Sequence, residues 1–426
     1  MMKGEPLALI TIINGLFWFL IVQLLGIFYT GAFYTPPTNI AQMHFSSVFL
    51  GWIGFVVLGA EMQMSRAFTA LRRFDPEYLR WIFLLSLNIG LGLIVIGSYQ
   101  RSQTYVISGL ILYLLGALIQ LWWLTRQRFS KHFKFPLGYH ILSQYFFLTG
   151  LFVLIFNSFI GFHGLIQQRA NAAILFTVGW IFLVLSGTII RILPMFVGKV
   201  IDREVRKSLS KHLIFSFLSA IILSIGLLLY TTFFLVTPIL WIGILMWLTS
   251  WIWTLVILFR SLYYSNRKSI NRVTFLYFLP GIISLTFGLI FGIVIPFNIG
   301  DPVVIRRLHI HLTLLAGLSM IMLGAIHRVT SFQIHTILYS GKKEEGPGIS
   351  RFLKNRYFAI IAVSLIISQV ILVTGILMQS TWYFGLGGLL HLVFTTMFVL
   401  LILSNYFIYF REVREAIPFD KKASEV

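Results

Sequence analysis

The residues best suited to chemistry in this chain are its histidines. There are ten of them, and no cysteine, in 426 residues. Three have an informative placement. His309 and His311 form a His-Ile-His pair heading one apolar stretch, and His44 heads another. Residues i and i+2 of an α-helix point about 200° apart, because each turn holds about 3.6 residues. His309 and His311 therefore cannot easily share one metal ion. Each can present an imidazole to a different planar cofactor on opposite sides of one helix. Imidazole is an axial ligand of haem iron. Haem propionates need cationic partners, and Arg306 and Arg307 stand just before the pair. The plainer alternative is an interfacial histidine, hydrogen-bonded to headgroups or loop carbonyls.

The remaining histidines carry less information. His163 falls near the same side as the pair. His391 lies about 13 Å into the last apolar stretch, at about 1.5 Å per residue. His140, His212, His327 and His335 fall near the opposite side, and His132 sits in a basic link. His132, His212 and His335 are expected to be solvated. Glu61 is the only acidic residue inside a predicted span. The absence of cysteine excludes disulfides, thiolate metal sites, cysteine-bound iron–sulfur clusters and covalently attached haem.

The elements that hold these residues are apolar helices. The chain is 58% hydrophobic and 11% charged, whereas soluble domains carry about 25% charged residues. Lipid must be the solvent for so much apolar surface. Runs long enough to cross a bilayer, which takes roughly 20 residues, cover 7–29, 44–64, 79–98, 104–124, 138–162, 172–195, 212–236, 238–260, 274–296, 309–329, 357–379 and 382–410. The first has no suitably placed cleavage site, so it is expected to stay as a span. The reading is an all-α polytopic membrane protein with a single twelve-helix domain over 1–426, a loop at 331–356 and a tail at 411–426.

The links alternate between basic and nearly neutral. Of 33 Lys and Arg, only Arg101, Arg169, Arg306 and Arg307 fall on the neutral side. The positive-inside rule then places both termini in the cytoplasm, and the expected location is the inner (plasma) membrane. The net charge of +20 is thus a topology signal, and no nucleic-acid partner is expected.

Three spans share a pattern of small residues. The second runs from His44 to Gly59 with Gly51-Trp52. The sixth runs from Ala172 to Gly187 with Gly179-Trp180. The tenth runs from His309 to Gly324 with Ala316-Gly317. Each copy lies four spans after the last, so twelve helices would form three pseudo-repeated four-helix arcs. Small residues at such spacing also serve close helix packing alone. Ala172 stands where the other copies have His44 and His309, so no metal is expected beside the sixth span.

On these residues the chain resembles the haem–copper oxidase superfamily, subunit I and its NnrS-like relatives. The run Ile189-Ile190-Arg191-Ile192-Leu193-Pro194-Met195-Phe196 is similar to a G-R-V-I-P-x-F run of the NnrS-like proteins, and Leu308 to Thr330 resembles their tenth span. The resemblance implies a fold of three four-helix arcs. It implies that His44 and His311 clasp a low-spin haem and that His309 serves a second haem. One or two haem b groups are then the expected cofactors. The oxidase copper ligands have no counterpart here. The sixth span lacks histidine, the seventh has only His212, and the eighth has no lysine. Copper and oxygen reduction are therefore not expected. The relatives imply a link to nitric oxide, and electron transfer would need a donor protein or quinol. Membrane lipid is the remaining partner. Two rival readings are a twelve-span solute transporter, which should repeat near half its length, and a cofactor-free assembly subunit.

Overall fold

Inside a bilayer no water satisfies backbone N–H and C=O groups, so each crossing segment must bond to itself as a helix. The computed structural model describes residues 6–31, 38–68, 77–126, 134–160, 170–196, 203–230, 237–263, 272–295, 300–339 and 354–416. Among them no strand occurs, and twelve helices are long and apolar enough to cross a membrane. These are α1 Leu7–Ile27, α2 Asn39–Met62, α3 Tyr78–Gln100, α4 Gln103–Thr125, α5 Gly138–Phe159, α6 Ala170–Ile190, α7 Ser208–Leu229, α8 Thr237–Tyr263, α9 Arg272–Val294, α10 Pro302–Ser331, α11 Asn355–Leu377 and α12 Thr381–Phe407. Large apolar side chains such as Phe156, Val370, Trp382 and Phe407 stand exposed, as lipid-facing surface requires. The chain is an all-α polytopic membrane protein.

His132, His163, residues 340–353 of the long link and the tail from 417 lie outside the described residues. So do the side chains of His335 and of Arg191 to Phe196.

Three helix starts differ from the sequence expectation, and the helix expected from 212 begins at Arg203. α2 begins at Asn39 and α10 at Pro302, so His44, His309 and His311 lie inside their helices. Apolarity alone overlooks polar first turns. Asp301 caps α10, its carboxylate accepting from the Val303 and Val304 N–H at 2.8 and 3.3 Å, with Pro302 in the first turn. Arg306 and Arg307 consequently ride on α10 and do not belong to a preceding loop.

The chain divides into two compact units, one holding α1 to α8 and the other α9 to α12. The same packing plan occurs three times, twice in the first unit and once in the second. In each set of four the second helix packs on the first and on the fourth, while the third and fourth pair as a hairpin. The small residues of the repeat explain the first contact. A side-chain carbon on Gly59 would stand 2.9 Å from the Ala8 carbonyl oxygen of α1. Gly179 lies against Phe146 of α5, and one on Gly317 would meet Leu285 of α9 at 2.8 Å.

Each of these second helices also contains a π-helical stretch: Ser47–Gly54, Leu175–Ile181 and His311–Leu318. Each stretch holds the Gly-Trp or Ala-Gly pair that marks the sequence repeat. π turns are rare and collect at functional positions.

The hairpins carry a second repeated device. Gly97 faces Val106 while Gly109 faces Ile94; Gly226 faces Leu240 while Gly243 faces Leu223; Gly375 faces Phe384 while Gly387 faces Leu372. Two of the hairpins share one turn. The Ser102 N–H donates to the Gly97 carbonyl at 2.8 Å, and the Ser380 N–H to the Gly375 carbonyl at 2.9 Å. Arg101 and Gln379 occupy the left-handed position, with φ of 57° and 50°, as this helix-ending motif demands.

Candidate functional site

In the second unit, His309 is half-buried and turned onto α9. Its Nδ1 lies 2.8 Å from the Gly288 carbonyl oxygen. A carbonyl only accepts, so Nδ1 carries the hydrogen and Nε2 keeps its lone pair. Gly292, one turn further along α9, makes room for the ring, since a side chain there would come within 2.6 Å of it. Thr313, one turn along α10, donates its hydroxyl to the His309 carbonyl.

His311 takes another neighbour. Its ring meets Phe384 of α12 edge to face, with centroids 5.2 Å apart at 82°. The predicted divergence of the pair is therefore observed. Seven residues past Phe384, on the same face of α12, lies His391, which is buried. His391 lies in the neighbourhood of His311. Gln369 of α11 stands 3.4 Å from its Nε2, and Thr395 stands 3.4 Å from its Nδ1. The carboxamide nitrogen can only donate, so Nε2 accepts from it. His391 is thus a core side chain and not an interfacial one. Arg306 is exposed and Arg307 half-buried. They stand one turn or less before His309 on the helix.

In the first unit, His44 is half-buried and hydrogen-bonded to the Val22 backbone of α1. Ala172, its counterpart on α6, is fully buried. Among the described residues no three His, Cys, Asp or Glu side chains converge as a metal-ion site.

Two clusters at the basic-link ends of the first-unit helices were not foreseen. Glu61, about two turns before its helix ends at Phe68, is fully buried. His140 Nδ1 lies 3.2 Å from its Oε1, and Gln144 Nε2 donates to Oε2 at 2.7 Å, both from α5. Gln120 of α4 lies close enough to interact with this carboxyl. The sequence held one signal for it, because Glu61 is the only acid within a predicted span.

The second cluster corrects a sequence expectation. His212 of α7, expected to be solvated, is fully buried. Its Nε2 lies 3.2 Å from the Ser250 carbonyl and 3.1 Å from the Thr254 hydroxyl, both on α8. The carbonyl requires a hydrogen on Nε2, so Nδ1 accepts from the Tyr139 hydroxyl of α5. Ser216 bonds the Ser250 hydroxyl at 2.6 Å and Thr254 reaches Ser186 of α6 at 3.5 Å. Four helices are joined around one imidazole. In sequence His212 sits near a span end, but polar partners on α5 and α8 draw it inward.

No family model matches the chain, and no curated protein matches it. What the fold and burial define is a twelve-helix membrane protein with buried imidazoles in both units.

Proposed function

We propose that this chain is a haem-binding membrane protein of the haem–copper oxidase type, working in electron transfer or nitric oxide response. The supporting observation is the setting of His309. Metal-bound imidazoles commonly donate their second N–H to a carbonyl or carboxylate, which fixes the ring and its tautomer. His309 has this arrangement through Gly288, with a glycine-lined space for its ring. In the second unit His309 and His311 would supply imidazole nitrogen to haem iron, with Arg306 and Arg307 giving positive charge to propionates; in the first unit His44 would supply the same kind of nitrogen. When bound, haem b would supply one-electron chemistry and could take up a small gas such as nitric oxide. The residues do the rest by orienting the ring and excluding water. Electrons would come from a donor protein or a quinol. The proposed setting is the inner membrane with both termini cytoplasmic.

The test is the reduced-minus-oxidised absorption spectrum of the purified protein. A haem b band is expected. His44→Ala or His311→Ala should remove a low-spin signal. His309→Ala should leave that signal and abolish any signal sensitive to nitric oxide. Replacing Arg306 and Arg307 together with glutamine should weaken haem retention or shift the midpoint potential. A colourless wild-type protein would overturn the proposal.

A second reading, a solute transporter coupled to protons, is favoured by one observation, the buried Glu61–His140 pair. Ionisable groups inside spans commonly mark ion pathways.

A further inference from the structure

Glu61 is the only Asp, Glu, Lys or Arg among the described residues that is fully buried. A buried ion pair is costly to form and gives little stability of its own. Its presence in a span calls for another reason.

We propose that Glu61 and His140 form a proton-binding site, entered from the face that carries the basic links, with Gln120 and Gln144 as amides that change role with the carboxyl. Position supports the entry side. Glu61 lies seven residues before its helix ends at Phe68, and His140 lies six residues after its helix begins at Lys134. About two helical turns separate the pair from that face, while His44 lies roughly 25 Å away along α2 at about 1.5 Å per residue.

The surroundings isolate the pair. From α1, Ala8 and Ile12 pack at Gly59 and are apolar. From α4 comes Gln120, which bonds the Leu58 carbonyl at 3.3 Å and lies near the carboxyl. From α5 come His140 and Gln144, while Tyr139 turns to His212 on α7. Among the described residues, His140 is the titratable group bonded to Glu61.

With one proton between them the two groups have no net charge, whether as carboxylate and imidazolium or as carboxylic acid and imidazole. Taking one proton from water gives carboxylic acid and imidazolium, net +1. Releasing one to water gives carboxylate and imidazole, net −1. The carboxamides suit both states of the acid. Ionised carboxylate needs donors, and Gln144 Nε2 donates to it at 2.7 Å. A protonated carboxyl needs an acceptor, and the oxygens of Gln144 and Gln120 are both buried without a hydrogen bond. A half-turn of either amide about its last bond exchanges nitrogen for oxygen.

The experiment is infrared difference spectroscopy of the full-length protein in lipid vesicles, between acidic and alkaline buffers, in water and in deuterium oxide. A carboxylic C=O band should grow on acidification and shift in deuterium oxide. Glu61→Gln should abolish it. Gln144→Leu should keep it but move it to higher frequency, since one hydrogen bond is lost. His140→Gln should displace the acidity at which it appears. A wild type without such a band, or a band unchanged in Glu61→Gln, would overturn the proposal. If Glu61→Gln does not assemble, a band unmoved in Gln144→Leu overturns it instead. No bound cofactor is needed, so the outcome is separate from that of the haem reading.

Discussion

The imidazoles at the two ends of this protein are held in different ways. Towards the neutral links, His44 and His309 are half-buried and bond to backbone carbonyls of a neighbouring helix. Towards the basic links, His140 and His212 are buried and bond to side chains from several helices. A backbone carbonyl is present on any helix, so the first arrangement fixes a ring while asking little of the partner's sequence. The second needs particular residues on other helices. The first arrangement leaves an imidazole nitrogen for a ligand, as at His309; the second consumes both nitrogens at His212. The difference separates a ring with a nitrogen to spare from a polar tie that holds helices together.

This contrast can be broken by stability measurements. The largest effect is expected at Glu61. Glu61→Leu leaves His140 and Gln144 buried without their partner, and removing one member of a buried pair costs about 3–5 kcal/mol. His309→Ala removes a single bond to a carbonyl and should cost about 1 kcal/mol. Denaturant unfolding in detergent compares them, and equal losses would erase the distinction. An intermediate effect is expected at Tyr139. Tyr139→Phe deprives His212 Nδ1 of its donor inside the bundle, and an unmet buried acceptor costs about 1–3 kcal/mol. A melting temperature unchanged from wild type would mean that Ser216, 3.4 Å from the same nitrogen, takes over fully.

The smallest effect concerns the hairpin turns, which belong to neither type of site. Arg101 and Gln379 hold left-handed backbone conformations that cost a non-glycine residue roughly 1 kcal/mol. Gln379→Gly should therefore raise stability by up to about 1 kcal/mol in thermal unfolding. A loss would show that the Gln379 amide, 3.2 Å from the Asp301 carboxylate that caps α10, matters more than the strain.

The threefold plan was legible where it depended on local spacing. Gly51, Gly179 and Gly317 face the first helix of their own sets, and that close approach imposes small residues at a fixed rhythm. The hairpin glycines obey the same constraint but escaped notice. Each is a single glycine three residues beyond an ordinary apolar one, as at Ile94 and Gly97, and its meaning comes only from the helix opposite. The π-helical stretches have no sequence signature of their own and emerged with the backbone.

What the sequence by itself determined is the number of spans, their alternation between basic and neutral links, and the divergence of His309 and His311. These follow from apolar length, charge and helical periodicity, all properties of neighbouring residues. What only the tertiary structure decided is which polar groups meet. Glu61 and His140 are 79 residues apart in sequence, and Tyr139 and His212 are 73 apart. No local pattern links such pairs, because each partner reads alone as a polar residue near a span end. Packing of α2 and α7 against α5 removes both pairs from water and leaves them to polar partners on neighbouring helices.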